Sequence, residues 1–342
     1  MTLARPPRHR RNFRGSPSRQ RGIAMLVAIL LVALGTIIAA DVAYRSAMSA
    51  RRGTATLSFD EALLVSQGAE ALAAYGLRTV MQSSKPGAGG QVDVYAGQPW
   101  AEPVGPLEVV PGVTLEANLE DMQGRFNLNW LVGFTGVTAG KPDPIALEAF
   151  RTLLQLTNVD PKWADMMVDW IDPDNQPQTQ GAEDSAYMGQ NPPYLAANQY
   201  ITSTTELLAL PGFGRENYEK LAPYISALPP DSTLNICTAK DKVLDAFNPG
   251  SQEWSSSPDT LLKNRAQANA CFPSLADYGK TFSDPAKFTN ASDRYFKTSS
   301  KYFRLSSLVT IGTAEFNLYS LLLMDNNQGY FIHPIQRSFS PD

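Results

Sequence analysis

The feature that most restricts this chain is an apolar segment near its N-terminus. Residues 23–40 contain no charged side chain, and residues 1–22 contain seven arginines and no acid. A segment of this length is close to the minimum for a helix that crosses a bilayer, about 17 to 25 residues. Arginines on one flank hold that flank in the cytoplasm. We therefore expect the rest of the chain to lie on the other side of a membrane.

Two interpretations of this segment are open. An ordinary secretory signal would be cut near Ala40 or Ala43 and discarded. A permanent anchor is favoured because the apolar run is longer than a signal core of about 7 to 15 residues. Helical spacing of apolar residues also continues to about Gln82, where a breaker cluster begins. We therefore predict one helix over 23–82, which is apolar on all sides at first and amphipathic beyond residue 40.

Two kinds of pattern follow along the chain. Alternation of apolar and polar residues predicts strands over 107–110, 113–119, 126–129, 234–238, 302–309, 314–324 and 330–336. Helical spacing predicts helices over 144–156, 161–171, 203–210 and 215–228. The predicted fold class is therefore α+β: a long N-terminal helix packed on an antiparallel sheet, with a large inserted all-α domain. The predicted limits are a basic leader at 1–22, a transmembrane segment at 23–40, an α/β domain at 41–135 and 229–342, and a helical insert at 136–228.

Charge and motifs exclude several functions. The net charge is −4, but without residues 1–22 the count is 22 basic against 33 acidic residues, or −11. Such a chain is a poor match for nucleic acid, so we interpret LPGFG at 210–214 as an ordinary helical hairpin rather than a DNA-gripping one. His9 and His333 each stand alone, and no arrangement of residues singles out a catalytic set.

The start of the chain resembles the class III signal of type IV pilins and type II secretion pseudopilins. In that family a prepilin peptidase cuts after the glycine that ends the basic leader and methylates the new N-terminus. The resemblance implies cleavage between Gly22 and Ile23, with Ile23 N-methylated. The family usually has Glu at the fifth mature position, where this chain has Val27. That Glu is thought to neutralise the N-terminus of a neighbouring subunit, and its absence implies a subunit at the fibre tip, with no neighbour ahead of it.

Four further stretches are similar to the K-type minor pseudopilins of type II secretion. They are LEDMQGRFNLNWL at 119–131, WIDPDNQPQTQGAEDSAYMGQNPPYLAAN at 170–198, TSTTELLALPGF at 202–213 and LNICTA at 234–239. The resemblance covers nearly the whole chain from residue 20, and its aspartate-rich stretch is long and specific. It implies the helix-on-sheet architecture with an α-domain inserted, and calcium held in that α-domain.

The acidic stretch 169–198 is the candidate binding region. Its carboxylates are Asp169, Asp172, Asp174, Glu183 and Asp184. Loops this long are unusual in compact domains unless something orders them, and Ca²⁺ accepts six to eight oxygen ligands in flexible geometry. The stretch has no His or Cys, which argues against zinc. The residues alone leave a solvated acidic loop open, and the family resemblance favours a structural Ca²⁺ with these five carboxylates as ligands.

Cys237 and Cys271 are the only cysteines. In an exported chain, two cysteines predict one disulfide, and two unpaired thiols are the alternative. The bond would close a partly polar, irregular loop and contribute about 4 kcal/mol in the chain-entropy model.

Two functions of different classes remain. The first is a minor pseudopilin, without catalysis, at the tip of the type II secretion pseudopilus. The resemblance implies that it initiates the fibre with the I-type and J-type minor pseudopilins, and that it meets other pseudopilins, the prepilin peptidase, the inner-membrane assembly platform and possibly secreted substrates. The expected location is the inner membrane, single-pass, with a cytoplasmic N-terminus and a periplasmic C-terminal domain. The alternative is a membrane-anchored periplasmic binding protein or hydrolase.

Overall fold

The computed structural model describes residues 20–86, 90–136, 139–267, 270–325 and 329–341. Most of the predicted basic leader, residues 1–19, lies outside the described residues. The chain divides into two units, Met1–Glu61 and Ala62–Asp342.

One continuous helix, α1, occupies Gln20–Ser83. The predicted helix over 23–82 is therefore confirmed to within three residues at each end. In the first unit the apolar side chains of α1 are solvent-exposed: Ile23, Leu30 and Ile37 are each about two-thirds exposed. Among the described helices, this one is long and apolar enough to cross a membrane.

A five-stranded antiparallel sheet forms part of the second unit, within the residues that the structure describes. Its strands are β1 (Val104–Val110), β2 (Val113–Asp121), β7 (Tyr302–Ile311), β8 (Ala314–Asp325) and β9 (Phe331–Ser338), in the order β1-β2-β7-β8-β9. Hairpin turns join β1 to β2 and β7 to β8, whereas the whole segment 122–301 lies between β2 and β7. The β1–β2 turn carries Gly112 at a positive φ of 83°. The predicted link between β8 and β9 falls mostly on residues 326–328, outside the described residues. The antiparallel sheet of the predicted fold class is confirmed.

The C-terminal part of α1 packs on this sheet through small and apolar side chains. Ala62, Ala69, Leu77 and Met81 are buried against inward-facing residues of the strands. Glu70 is the charged exception on this face and is only 5% exposed. Burial alone would raise the pKa of Glu70, but hydrogen bonds from Arg337 and Ser320 hold it below its ordinary value.

Most of the remaining elements are helical. They are α2 (Pro144–Leu156), α3 (Trp163–Ile171), α4 (Asp184–Tyr187), α5 (Gly214–Leu221), α6 (Asp241–Ala246), α7 (Pro258–Gln267), α8 (Leu275–Lys280) and α9 (Pro285–Arg294). Short parallel ladders pair β3 (Phe126–Asn127) with β4 (Ile225–Ser226), and β5 (Leu234–Asn235) with β6 (Phe296–Lys297).

The helices share one aromatic core. Phe126 stacks on Phe150 at 5.4 Å between ring centroids, and Trp130 and Phe247 extend the cluster. The core contains residues from before 136 and from after 228. The predicted domain limits stay a prediction, and the packing shows that the helices over 241–294 belong to the same core as α2 and α3.

The structure differs locally from the sequence prediction at the following places, and the first two differences have a clear cause. The helix predicted over 215–228 ends at Leu221 because Pro223 has no amide hydrogen to continue the α-helical hydrogen bonds, and Ala222–Tyr224 form a 3₁₀ turn instead. The strand predicted over 126–129 stops after two residues because the side chain of Asn127 accepts a hydrogen bond from the amide of Asn129 and starts a 3₁₀ turn. Residues 203–210, predicted as a helix, form a 3₁₀ helix at Thr204–Ala209.

Candidate metal centre

The acidic loop starts where α3 ends. Pro173 cannot donate a backbone hydrogen bond, so the helix stops at Ile171 and Asp172 takes an extended conformation. The amide of Asp172 still donates to the carbonyl of Val168, at 2.9 Å. The side chain of Asp172 is therefore held in a fixed position at the end of the helix.

Asp165 and Asp169 of α3 hold the loop through its backbone amides. Asp165 accepts from the amide of Gln180 at 3.2 Å, and both carboxylate oxygens of Asp169 lie 3.1 Å from the amide nitrogen of Gln178. A Cβ on Gly181 would lie 1.8 Å from an oxygen of Asp169, so this contact requires glycine. Burial raises the pKa of Asp169 to about 6, although the amides of the loop oppose the shift.

Three other carboxylates converge near the contacts that Asp165 and Asp169 make with the loop. Asp172, Asp174 and Glu183 each offer an oxygen, and the three oxygens lie within 4.8 Å of one another. Asp172 is 1% exposed and Glu183 is 7% exposed. Neither carboxylate receives a hydrogen bond from the described residues. Asp174 is exposed and accepts from the amide of Gln176 at 2.8 Å.

The electrostatics of this group are unfavourable for bare carboxylates. Burial raises the pKa of Asp172 to about 7, and the neighbouring carboxylates Asp174, Asp169 and Glu183 add to the shift. The pKa of Glu183 is raised to about 7, again first by burial and then by its acidic neighbours. Buried carboxylates without donors are costly, and a hard cation with oxygen ligands removes both the repulsion and the lack of partners. The residues therefore fit a Ca²⁺ ion.

The structure brings together three of the five predicted ligands. Asp169 instead binds loop amides. Asp184 begins α4 and accepts from the amide of Ala196 at 3.1 Å. The prediction of a five-residue ligand set stays a prediction, and the geometry supports the smaller set of Asp172, Asp174 and Glu183.

Two further polar side chains within the stretch 169–198 are not among the site residues predicted from the sequence. The hydroxyl of Tyr187 is buried without a hydrogen-bond partner, and burial together with Asp169 raises its pKa. The side-chain oxygen of Asn198 is likewise buried without a partner, while its amide group donates to Asn175 at 3.2 Å. Asn198 has a positive φ of 48°, a backbone conformation that asparagine adopts more readily than most residues. This preference is the local signal in the sequence for a turn at Asn198.

The other predicted site residues lie elsewhere. Gly22 and Ile23 are in the first turns of α1, and Ile23 is 66% exposed. Cleavage and methylation there stay predictions. Cys237 and Cys271 are joined by a disulfide, with their Cα atoms 4.7 Å apart.

Comparison with known proteins gives consistent matches. The model of the family "Type II secretion system (T2SS), protein K" matches residues 124–230, which include the acidic loop. The chain is 32% identical to type II secretion system protein K of Pseudomonas aeruginosa, over 89% of this chain and 88% of that protein. It is 31% identical to the protein K of Klebsiella pneumoniae, over 94% of this chain and 97% of that protein.

A solved structure shows the same fold. It is the crystal structure of the GspK-GspI-GspJ complex from the enterotoxigenic Escherichia coli type 2 secretion system. One of its chains matches with a TM-score of 0.70 and 24% identity, over 85% of this chain and all of that chain. The helix on an antiparallel sheet and the helical insert are therefore an arrangement known from experiment.

Proposed function

This chain belongs to the type II secretion system protein K family, and we propose that it is the minor pseudopilin at the tip of the type II secretion pseudopilus. In this role it initiates fibre assembly with other minor pseudopilins, supports the export of folded proteins across the outer membrane, and performs no catalysis. The relationship to protein K over about nine-tenths of the chain carries the proposal.

The N-terminal helix is consistent with the role of a fibre subunit. Its apolar residues are exposed over a length that suits lipid or the apolar helices of other subunits. Val27 leaves the apolar segment without a carboxylate, and the first acid after Gly22 is Asp41. Since the carboxylate of a typical pilin serves a neighbour ahead of it, a subunit without one fits the end of the fibre.

The helical insert is a separate argument for placing this subunit at the end of the fibre. Helices α2 to α9 share a core with the short strands β3 to β6, and this bulk would obstruct another subunit above it. The proposed partners are the I-type and J-type minor pseudopilins, as in the solved complex that has the same fold. Further proposed contacts are the other pseudopilins, the prepilin peptidase, the inner-membrane assembly platform and secreted substrates.

A structural Ca²⁺ belongs to this proposal. Asp172, Asp174 and Glu183 would hold the ion, and it would neutralise carboxylates that otherwise have no donor. Asp165 and Asp169 keep the loop in place through its amides. The chain's own contribution is to fold this loop at the end of α3, and the ion supplies positive charge and coordination there.

Processing at Gly22 gives the first test. Coexpression of the full chain with a prepilin peptidase should yield a protein that lacks residues 1–22 and carries one added methyl group, measured by intact mass. Gly22→Leu should block this change. Gly35→Leu is a matched control, since neither glycine has a neighbouring atom that a Cβ would meet. A mature N-terminus beyond Ala40 would contradict the anchor.

Assembly and secretion give the second test. The processed chain mixed with I-type and J-type subunits should form a 1:1:1 complex by mass photometry or light scattering. Deletion of the chain should leave exported proteins in the periplasm, and the intact chain supplied in trans should restore export. Normal secretion in the deletion strain would refute the proposed function, and an unprocessed anchor without these partners would favour a periplasmic binding protein or hydrolase.

A further inference from the structure

A second cleft lies far along the sequence from the acidic loop and shares no residue with it. Its volume is about 310 Å³, and it is bounded by α7, the end of β2 and the turn at Pro99–Ala101. Apolar side chains line part of it: Trp100, Leu119 and Leu262. Leu262 is 63% exposed at the rim. Lys240 and Arg265 supply positive charge to the same cleft.

Arg265 is a buried cation without a charged partner in contact. It is 8% exposed, and its guanidinium donates to the carbonyls of Phe272 at 2.9 Å and Ile236 at 3.0 Å. No ion pair joins it to a carboxylate within the described part of the chain. Burial lowers its pKa to about 10, so it is still charged at neutral pH. A buried charge that meets only carbonyl dipoles is stabilised by an added anion.

The two carboxylates that line the cleft are engaged with groups other than Arg265. Glu120 already pairs with Arg125, Lys240 and Arg304. Burial alone would raise the pKa of Glu120, but these cations lower it to about 2. The lining itself holds two cations, Lys240 and Arg265, and two carboxylates, Glu120 and Asp121. Asp121 accepts hydrogen bonds from Ser300, Thr238 and Asn235. Among the described residues, Arg265 is therefore the lining cation that no carboxylate contacts.

We propose that this cleft binds a polypeptide segment of a partner protein that presents a carboxylate beside an apolar side chain. Lys240 and Arg265 receive the carboxylate, and Trp100 and Leu262 contact the apolar group. A volume near 310 Å³ equals about ten water molecules at roughly 30 Å³ each, which is room for one or two side chains. Charge-assisted hydrogen bonds to a carboxylate are among the strong ones, and the apolar walls add burial.

Binding of a defined peptide tests the site. The probe is fluorescein-Gly-Ser-Gly-Ser-Leu-Phe with a free C-terminal carboxylate, and its twin carries a C-terminal amide. Fluorescence anisotropy is measured with the full chain in a non-ionic detergent. The acid should bind at least about tenfold more tightly than the amide, and the preference should shrink with added salt.

Variants separate the cleft from general charge effects. Lys240→Ala and Arg265→Gln should each weaken binding of the acid peptide about tenfold, and Lys263→Ala should not, because Lys263 lies on the same helix outside the cleft. Leu262→Glu places a negative charge at an exposed rim position, so it tests the site even where Arg265→Gln fails to fold. It should abolish binding of the acid peptide.

Three outcomes would overturn the proposal. The first is equal binding of the acid and amide peptides. The second is unchanged binding in folded Leu262→Glu and Lys240→Ala. The third is displacement of the acid peptide by sodium acetate as effectively as by the unlabelled peptide, which would indicate a site for small anions only. None of these results bears on whether the chain is a pseudopilin.

Discussion

Removal of calcium should destabilise the folded chain, and the loss should be larger at pH 8 than at pH 5. The reason lies in Asp172 and Glu183, whose pKa values are raised to about 7 in the folded chain without metal. Between their ordinary pKa near 4 and about 7, the folded state binds more protons than the unfolded state. The free energy of unfolding of the metal-free chain therefore falls as pH rises through this window. Bound calcium needs the ionised carboxylates and should reverse that trend.

The magnitude follows from mass action. At a free calcium concentration of one hundred times the Kd, binding to the folded state alone adds about 2.7 kcal/mol to the free energy of unfolding. For a domain of 150 to 250 residues, 1 kcal/mol shifts the Tm by about 2 to 4 °C. We therefore expect a rise in Tm of roughly 5 to 10 °C at pH 8. At pH 5 the rise should be much smaller because protons occupy the ligand oxygens.

The assay is thermal unfolding of the full chain in non-ionic detergent, followed by near-ultraviolet circular dichroism with calcium or with EDTA. The variant Asp172→Asn/Glu183→Gln should lose the calcium response. Without metal at pH 8 it should also melt higher than the original chain, because the repulsion and desolvation of the two carboxylates are gone.

A matched control uses exposed carboxylates outside the loop. Glu253→Gln/Asp293→Asn makes the same chemical changes at exposed positions and should keep the full calcium response. The reasoning is refuted if calcium leaves the Tm of the original chain unchanged at pH 8. It is also refuted if the metal-free chain becomes more stable between pH 4.5 and 7, or if the Asp172/Glu183 variant still responds.

Other substitutions test the surrounding structure. Gly181→Ala should lower the free energy of unfolding by about 1 to 3 kcal/mol through overpacking, and it should weaken calcium binding. Gly189→Ala, where a Cβ meets ordinary contacts, should do neither. Equal effects of the two variants in calorimetric titrations would contradict the contact at Gly181. Cys237→Ser should cost about 4 kcal/mol in urea unfolding, and a reductant that leaves the midpoint of the unmodified chain unchanged would contradict this. Glu70→Gln should lower the free energy of unfolding by about 1 to 2 kcal/mol, a modest value because the Arg337 side chain is 45% exposed to solvent. This loss should disappear in acid, where Glu70 of the original chain is protonated. A difference in urea unfolding that does not depend on pH would refute the ion pair.

Local pattern was enough for much of the fold. Helical spacing predicts the helix over 144–156 at its observed bounds. The structure shows that Asp143 caps the amides of Ile145 and Ala146 and that Pro144 occupies the first turn. The long helix and the main strands followed from their periodicity and from Gly and Pro breakers. Hydrophobic spacing and turn chemistry depend on residues only a few positions apart, so they can be recognised in the amino-acid sequence itself. The helices over 241–294 escaped detection because their short amphipathic segments become stable only against the shared aromatic core.

The sequence by itself determined that an apolar segment follows a basic leader, that helices interrupt a sheet, and that carboxylates are dense after α3. Tertiary structure alone decided which carboxylates meet: Asp172, Asp174 and Glu183 converge, while Asp169 and Asp184 turn to backbone amides. It also decided that Arg265 is buried beside a cleft without an ion-pair partner in contact. The physical reason is that periodicity and caps depend on neighbours along the chain. Burial, repulsion and the supply of hydrogen-bond donors depend on residues brought together by packing.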